Sequence, residues 1–307
     1  MKVFLTGATG FLGAEIARDV VLRGHDCAVL TRRDIAGSRL APIADRLSVV
    51  PGDFFDPASY REGLARFAPD ALLHCGWWGV AGADRNDLRQ LDNVAAAGRL
   101  AQAAIDCGAT TIVGVGSQAE YGPKQTPIGE DDAAEPTTLY GVAKLAACWT
   151  FVNLGATQGV RAVWGRVFSL YGPGDEDGPW LIPSLIRALR AGEAPRLTGC
   201  EQHWEFTHVR DAARAFVRLL ETPQATGVYN VASGAPRPLR DVVLALRDLV
   251  APKIEPRFGG VPYRPDQVMR LEGRIDRIRA ATGWRPEVSL ESGIAETVAA
   301  FATRDAA

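Results

Sequence analysis

Short apolar runs alternate with longer segments of helical periodicity over the first 170 residues. Apolar runs of this length predict buried strands, and they occupy residues 3–5, 27–30, 47–50, 71–74, 111–115 and 160–168. Apolar positions at three- and four-residue spacing predict helices, over residues 14–23, 88–107 and from Leu139 onward. Strands that alternate with helices form parallel sheets covered on both faces. The pattern therefore predicts an α/β fold with a Rossmann-type doubly wound parallel sheet.

The alternation breaks near Tyr171, where glycine and proline become frequent. We therefore place a domain transition there. Residues 1–170 are predicted to form a Rossmann-type domain, and residues 209–231 are expected to return to it. Residues 171–208 and 232–307 are predicted to form a smaller, mixed C-terminal domain.

Three glycines follow the first strand. Gly7, Gly10 and Gly13 lie at three-residue spacing, directly before the first helix. Glycines let the backbone approach a pyrophosphate closely, and the helix start offers free N–H groups and the positive end of its dipole. The spacing is a variant of the dinucleotide-binding fingerprint G-x-G-x-x-G. Its place between a strand and a helix predicts dinucleotide binding rather than a plain structural turn.

The end of the second strand predicts which dinucleotide binds. An acidic residue about 20 residues beyond the glycines bonds the ribose 2′-hydroxyl of NAD, whereas an arginine suits the 2′-phosphate of NADP. The chain has Thr31, Arg32 and Arg33 at this place, with no acid among them. We therefore predict NADP in preference to NAD. The alternative is that the two arginines are an ordinary solvated surface pair.

Composition narrows the class of protein. The chain has 307 residues, of which 47% are hydrophobic and 23% charged, as in a globular enzyme. The net charge of −2 comes without a block of like charges, so neither nucleic acid nor a membrane is expected as a partner. Five scattered cysteines and four histidines show no metal-ligand spacing. We expect reduced thiols, a cytoplasmic location and no metal site.

Three residues predict proton-transfer chemistry. Tyr140 and Lys144 are four residues apart on a helix and share one face, and Ser117 follows the fifth strand. A phenol has an ordinary pKa of about 10, and a nearby ammonium lowers it. With a hydroxyl that holds the reacting oxygen, such a trio moves a proton while hydride moves to or from nicotinamide. We predict these three residues to be catalytic.

The motifs together resemble the extended short-chain dehydrogenases/reductases, in the group of NAD(P)-dependent nucleotide-sugar epimerases, dehydratases and reductases. The resemblance runs nearly end to end. It is carried by TGATGFLG (6–13), GSQAEYG (116–122), YGVAK (140–144), RVFSLYGP (166–173) and TGWRPEVSLESGI (282–294), among others.

The resemblance implies that residues 1–170 form an NAD(P)-binding domain and that residues 171–208 and 232–307 form a nucleotide-sugar-binding domain. It also implies roles for individual residues. Asp53 and Phe54 are expected to flank the adenine, and Lys144 to hold the nicotinamide ribose. The full set of expected cofactor contacts is Gly7, Thr9, Gly10, Phe11, Leu12, Gly13, Arg32, Arg33, Asp53, Phe54, Cys75, Gly76, Asn93, Tyr140, Lys144 and Phe168. The expected substrate contacts are Trp77, Trp78, Gln118, Ser169 and Arg264. Arg264 is expected near the diphosphate, and the two tryptophans follow a strand end, where ligands of open sheets bind.

Departures from the family pattern select the reaction. Dehydratases that this chain resembles carry an Asp-Glu pair after the active-site hydroxyl, where this chain has Gln118 and Ala119, so dehydration is not expected. The leading hypothesis is an NADPH-dependent reductase of a nucleotide-linked keto-sugar, a 4-keto-6-deoxyhexose. Two alternatives stay open: a nucleotide-sugar 4-epimerase with retained NAD, and a non-catalytic NADP-binding protein. Ser169 and Trp204 stand where the family often has Asn and Arg, so the nucleotide base is not identified.

The resemblance also implies a homodimer. Helices at residues 88–107 and 139–154 match those that pair across the dimer in this family. The candidate interface residues on their outward faces are Leu91, Val94, Ala95, Leu145 and Trp149.

Overall fold

A computed structural model of the chain describes residues 1–175, 178–263 and 267–305. The main strands are β1 Lys2–Thr6, β2 Asp26–Thr31, β3 Leu47–Pro51, β4 Ala71–His74, β5 Thr111–Ser117, β6 Arg161–Val167 and β10 Gly227–Val231. They form one seven-stranded sheet in the order β10-β6-β5-β4-β1-β2-β3, with every pair parallel. This order confirms the predicted α/β fold with a Rossmann-type doubly wound sheet.

Helices cover both faces of this sheet. The helices are α1 Phe11–Leu22, α2 Pro57–Phe67, α3 Gln90–Asp106, α4 Leu139–Gln158, α5 Leu181–Arg190, α6 Val209–Glu221, α7 Leu239–Val250, α8 Asp276–Thr282 and α9 Leu290–Asp305. Strand β1 explains the two layers: Val3 and Leu5 pack into the core under α1 and α6, whereas Phe4 packs into the core under α3 and α4. Because both faces of the strand are buried, its sequence is a continuous apolar run.

The strands outside the central sheet are shorter. They are β7 Leu170–Tyr171, β8 His203–Trp204, β9 Thr207–His208, β11 Arg237–Pro238 and β12 Arg270–Leu271. Strand β8 lies between β11 and β12, and β7 pairs with β9. Helices α5, α7 and α9 enclose a separate apolar core. Strand β10 lies beside β6 in the main sheet, and α6 packs on α1. The division into two domains stays a prediction.

The order of the strands places the site. The chain crosses from β3 to β4, so that β1 has β2 on one side and β4 on the other. Ligands of open α/β sheets bind outside the carboxyl ends of the strands at such a switch point. Gly7 and Gly76 follow the ends of β1 and β4, and Ser117 ends β5. No helix in the described part of the chain is long and apolar enough to cross a membrane.

Candidate active site

The glycine turn leaves the start of α1 open to an anion. Gly7 has φ +70°, and a Cβ there would lie 2.6 Å from the backbone nitrogen of Gly76. Gly10 is the N-cap and supplies no side chain to the first turn of α1. The N–H groups at this helix start therefore remain available to a pyrophosphate. Phe11, Leu12 and Gly13 form that first turn, so this end of the crevice fits a dinucleotide.

Hydrogen bonds hold the two glycine segments together. Thr6 Oγ1 lies 2.8 Å from His74 Nδ1 and accepts the backbone N–H of Gly76 at 3.2 Å. Burial lowers the pKa of His74 to about 3, so the imidazole is neutral at physiological pH. Cys75 lies between His74 and Gly76 and is half-buried. The predicted cofactor residues at the ends of β1 and β4 therefore lie side by side.

The predicted adenosine end of the groove carries exposed arginines. Arg32 and Arg33 follow β2 and are exposed, and Arg32 Nη1 lies 3.4 Å from Asp53 Oδ2. Asp53 and Phe54 follow β3, and the Phe54 ring lies 5.5 Å from the His74 ring. Four of the predicted residues thus lie at the edge of the sheet where the sequence placed the adenosine ribose.

Ser117, Tyr140 and Lys144 come together at the carboxyl end of β5. Thr138 caps α4 by accepting the backbone N–H of Gly141 at 3.1 Å, which places Tyr140 in the first turn and Lys144 one turn later. Ser117 and Tyr140 lie in the wall of the same cavity. Burial raises the pKa of Tyr140 above its ordinary value, while the Ser117 side chain and the charge of Arg85 lower it. The structure therefore brings the predicted catalytic trio into one site.

Lys144 is held away from the phenol. Its Nζ donates to the carbonyl oxygen of Val115 at 2.7 Å and lies 3.8 Å from the centre of the Trp77 ring, but 5.9 Å from that of Tyr140. Burial lowers the pKa of Lys144 to about 8.

The tryptophan loop is fixed from α3. Trp77 donates its indole N–H to Gln90 at 2.9 Å. Asn93 accepts the backbone N–H of Trp78 at 2.9 Å and donates to the Trp78 carbonyl oxygen at 3.1 Å. In this structure Asn93 positions the loop, and its contact with the cofactor stays a prediction.

Glu120 is buried and fully bonded. Its Oε1 accepts the backbone N–H of Ser117 at 2.8 Å and the indole N–H of Trp164 at 2.9 Å. Its Oε2 forms an ion pair with Arg166 Nε at 2.6 Å. Glu120 therefore holds the turn that presents Ser117 and is not placed to exchange protons with a substrate.

A cavity of about 920 Å³ opens beside Ser117 and Tyr140. The predicted residues Phe168, Gln118 and Ser169 line it, whereas Trp77 and Trp78 do not. Ser169 accepts the indole N–H of Trp204 at 2.7 Å. The described lining residues include two arginines, Arg85 and Arg196, and no aspartate or glutamate. The predicted substrate residue Arg264 lies outside the described residues.

Several site residues were not predicted from the sequence. Arg85 lines the cavity and packs its guanidinium 4.3 Å from the centre of the Tyr140 ring. Gln202 is 4% exposed and lines the cavity with a side-chain oxygen that has no hydrogen-bond partner among the described residues. Arg39 donates to the carbonyl oxygens of Thr9 at 3.2 Å and Gly174 at 2.9 Å. All three lie in segments without regular hydrophobic periodicity. The sequence therefore showed that they are charged or polar, but not that they lie at the site.

Known proteins identify the family. Residues 3–232 match the model of the NAD dependent epimerase/dehydratase family. The chain belongs to this family. As a member it is an enzyme of the extended short-chain dehydrogenase/reductase type, which confirms the predicted resemblance and excludes the non-catalytic alternative. Among the described residues, no three histidines, cysteines, aspartates or glutamates lie close enough together to hold a metal ion.

Individual relatives of this epimerase/dehydratase family member span almost its full length. It is 28% identical to the GDP-6-deoxy-D-mannose reductase of Pseudomonas aeruginosa over 305 residues, which cover 95% of this chain and 94% of the relative. It is 27% identical to the UDP-glucose 4-epimerase of Mycolicibacterium smegmatis over 325 residues, which cover 98% of each. The structure of RMD from Pseudomonas aeruginosa complexed with NADPH superposes with a TM-score of 0.82 at 26% identity, covering 99% of both chains. A nucleotide-sugar-modifying enzyme with a nicotinamide dinucleotide cofactor is therefore supported.

Proposed function

We propose that this enzyme is an NADPH-dependent reductase of a nucleotide-linked keto-sugar, a 4-keto-6-deoxyhexose. The observation that carries the proposal is the cavity beside Ser117 and Tyr140, whose described lining holds no carboxyl group. Dehydration of a sugar requires a base to remove a carbon-bound proton and an acid to expel water. A ketone reduction requires one proton donor only, and Tyr140 supplies it.

Each group of the site has a separate role in the proposed reaction. NADPH, when bound at the glycine turn, supplies the hydride. Tyr140 donates its phenolic proton to the substrate oxygen as that oxygen becomes negative, and Ser117 donates a second hydrogen bond. Lys144 holds the nicotinamide ribose. Gln118, Ser169 and Arg264 are proposed to contact the nucleotide-sugar, with Arg196 in the cavity wall to attract its diphosphate.

NADPH is proposed in preference to NADH because of the exposed arginines after β2. Arg32 and Arg33 can form charge-assisted hydrogen bonds to a 2′-phosphate. Arg32 lies near Asp53, but at 3.4 Å this exposed pair is loose enough for a phosphate to replace it. The reductase relative from Pseudomonas aeruginosa and the RMD structure with NADPH are consistent with this choice.

A nucleotide-sugar 4-epimerase with retained NAD is the second candidate. It is favoured by the epimerase relative, which matches this chain over 98% of its length. An epimerase uses the same trio, because it removes and returns a hydride at the same carbon. The two candidates differ in whether the cofactor is consumed.

Stoichiometry tests the proposal. We expect one NADPH to be oxidised for each nucleotide-linked 4-keto-6-deoxyhexose reduced, measured by absorbance together with chromatography of the product. Interconversion of two nucleotide-hexose epimers without net oxidation of NADPH would establish the epimerase instead. A panel of substrates that varies the nucleotide base and the sugar identifies the substrate.

We also propose that the enzyme acts in the cytoplasm, where thiols stay reduced, because its five cysteines are all free thiols.

A further inference from the structure

Two cations lie near the ring of Tyr140, and they are held differently. Lys144 Nζ is bonded to the Val115 carbonyl oxygen, and its distance from the centre of the Tyr140 ring is 5.9 Å. Arg85 Cζ lies 4.3 Å from the same point. Arg85 donates one hydrogen bond, from Nη1 to the carbonyl oxygen of Val80 at 3.1 Å, and has no carboxylate partner in the described part of the chain. Its charge is therefore free to act on the phenol.

The segment that carries Arg85 is anchored on both sides. Gln90 Nε2 donates to the carbonyl oxygens of Gly79 at 2.7 Å and Asp84 at 2.9 Å. Asn86 Oδ1 accepts the backbone N–H of Leu139, the first residue of α4, at 3.1 Å. The guanidinium is therefore held against the helix turn that presents Tyr140, rather than on a free loop.

We propose that Arg85 is a positioning residue for Tyr140, whose guanidinium packs on the ring and stabilises the phenolate that forms when the proton is transferred. The inference rests on the proposed role of Tyr140 as the proton donor. A cation over an aromatic face is attracted to the ring, and this attraction grows when the ring becomes an anion.

Lys144 loses its positive charge at a lower pH than the pH at which a phenol ionises. Burial lowers the pKa of Lys144 to about 8, whereas a phenol ordinarily ionises near pH 10. The ammonium therefore loses its proton first. A guanidinium stays charged throughout this range, so Arg85 supplies the lasting positive charge.

The other groups that face Tyr140 do not replace Arg85. Ser117 lowers the pKa of the phenol but carries no charge. Glu120 raises that pKa, and its own charge is compensated by Arg166. Cys75 raises it only as a thiolate, and burial raises the pKa of Cys75 to about 11.

The reduction leaves Tyr140 as an anion, and this anion is the species that Arg85 stabilises. During reduction the hydride goes to the carbonyl carbon, and the Tyr140 hydroxyl proton goes to the carbonyl oxygen. The alcohol is then neutral and Tyr140 is left as a phenolate until solvent returns a proton. Arg85 stabilises this phenolate, and in the reverse reaction it stabilises the base.

Nuclear magnetic resonance of the phenolic carbon tests the pairing directly. The full chain is labelled at the tyrosine ζ-carbon, and the Tyr140 signal among the six tyrosines is assigned with Tyr140→Phe. We expect Arg85→Met to raise the pH midpoint of this signal by about one unit, as for a unit charge some 5 Å away in a partly solvated site. Arg85→Lys keeps a positive charge, so its midpoint should lie close to that of the native enzyme.

Arg89→Met is the matched control. Arg89 lies on the same segment and packs 4.0 Å from the centre of the Trp78 ring, away from Tyr140. This variant should leave the Tyr140 midpoint unchanged. An unchanged midpoint in Arg85→Met, or an equal shift in Arg89→Met, would overturn the proposal.

Turnover in the oxidation direction gives a second readout. That direction needs the phenolate, so Arg85→Met should lose about tenfold in kcat at pH 8 and regain it at higher pH, with KM nearly constant. A merely structural loss would lower kcat equally at every pH, which would contradict the proposal. The resonance titration needs no turnover, so failure of keto-sugar reduction would refute the proposed function without touching the Arg85–Tyr140 pairing.

Discussion

The ammonium of Lys144 lies 3.8 Å from the centre of the Trp77 ring. The same indole lies edge-on to Tyr140, with ring centres 6.3 Å apart. Trp77 therefore touches both catalytic side chains without lining the cavity itself. Its place in the sequence, three residues after the end of β4, indicated a ligand contact, but the structure gives it the role of a support.

This contact predicts a loss of stability in Trp77→Leu. The variant removes the aromatic face from a desolvated ammonium and the hydrogen bond to Gln90, so we expect the free energy of unfolding to fall by about 2 kcal/mol or more. Urea denaturation measures it. Trp78→Leu is the matched control, because the Trp78 ring packs on the exposed Arg89 and its loss should be smaller. Equal losses in the two variants would count against the contact.

Tyr140→Phe should keep the cofactor and lose the chemistry. The variant retains the buried ring and removes only the hydroxyl, so NADPH binding by calorimetry should change little. General acid assistance is worth typically about 10²–10⁴-fold, and kcat should fall by that factor. Activity within about tenfold of the native enzyme would show that another group delivers the proton.

The double variant Arg32→Ala, Arg33→Ala should lose its preference for NADPH. Two charge-assisted hydrogen bonds at an exposed site predict a rise of about 10- to 100-fold in the dissociation constant of NADPH, with that of NADH nearly unchanged. Fluorescence titration with both cofactors measures the preference. Arg66→Ala, at another highly exposed arginine, controls for the general loss of positive charge. Equal affinity of the native enzyme for NADH and NADPH would disprove the cofactor choice.

Glu205 predicts a pH-dependent stability. It is 0% exposed, with Oε2 accepting the backbone N–H of Gly234 at 3.0 Å, and burial raises its pKa to about 8. The folded state therefore keeps a proton that the unfolded chain releases near pH 4.5, its ordinary pKa. The retained proton stabilises the folded state fully below pH 4.5. This stabilisation is lost between pH 4.5 and pH 8, where the free energy of unfolding falls by about 1.4 kcal/mol for each pH unit.

Glu205→Gln should remove this slope. Urea denaturation at pH 5 and pH 8 compares the native chain with the variant, and Glu62→Gln, whose side chain is 86% exposed, serves as the control. The same pH dependence in the native chain and in Glu205→Gln would mean that Glu205 is ionised in the folded state.

Exposed apolar side chains on α3 and α4 predict a homodimer. Leu91 is 51% exposed and Trp149 55% exposed, on two helices that pack against each other. We expect light scattering to give twice the chain mass of 32.9 kDa at micromolar concentration, and Leu91→Glu with Trp149→Glu to give the single mass. Leu22→Glu, at a 73% exposed leucine on α1, should leave the dimer intact. A native monomer would disprove the assembly.

The sequence predicted the inner strands β1, β4 and β5 well because they are buried on both faces. They therefore appear as apolar runs, and the glycine turn and Ser117 follow from where these runs end. Helix α5 was not predicted, although Ile182, Leu185, Ile186 and Leu189 are apolar at helical spacing. Pro183 and the neighbouring glycines suggested irregular backbone, but a proline in the first turn of a helix loses no hydrogen bond.

The contacts of long polar side chains could not be predicted from the sequence. Arg85 and Arg39 have no periodic pattern around them, and their partners are a ring 55 residues away and carbonyl oxygens from two distant segments. Lys144 was expected to act on Tyr140 because the two share a helix face. Spacing could not reveal that Val115 and Trp77 hold its ammonium.

The bonding of Glu120 restricts how this enzyme can evolve new chemistry. The dehydratases that this chain resembles carry an Asp-Glu pair where this chain has Gln118 and Ala119, and Ala119 is itself buried. A carboxylate at position 119 would enter a desolvated region next to an anion already committed to Ser117, Trp164 and Arg166. Two like charges there would oppose each other's ionisation. We therefore expect that two substitutions alone would not make a dehydratase, and that the ion pair beneath the serine turn would have to change as well.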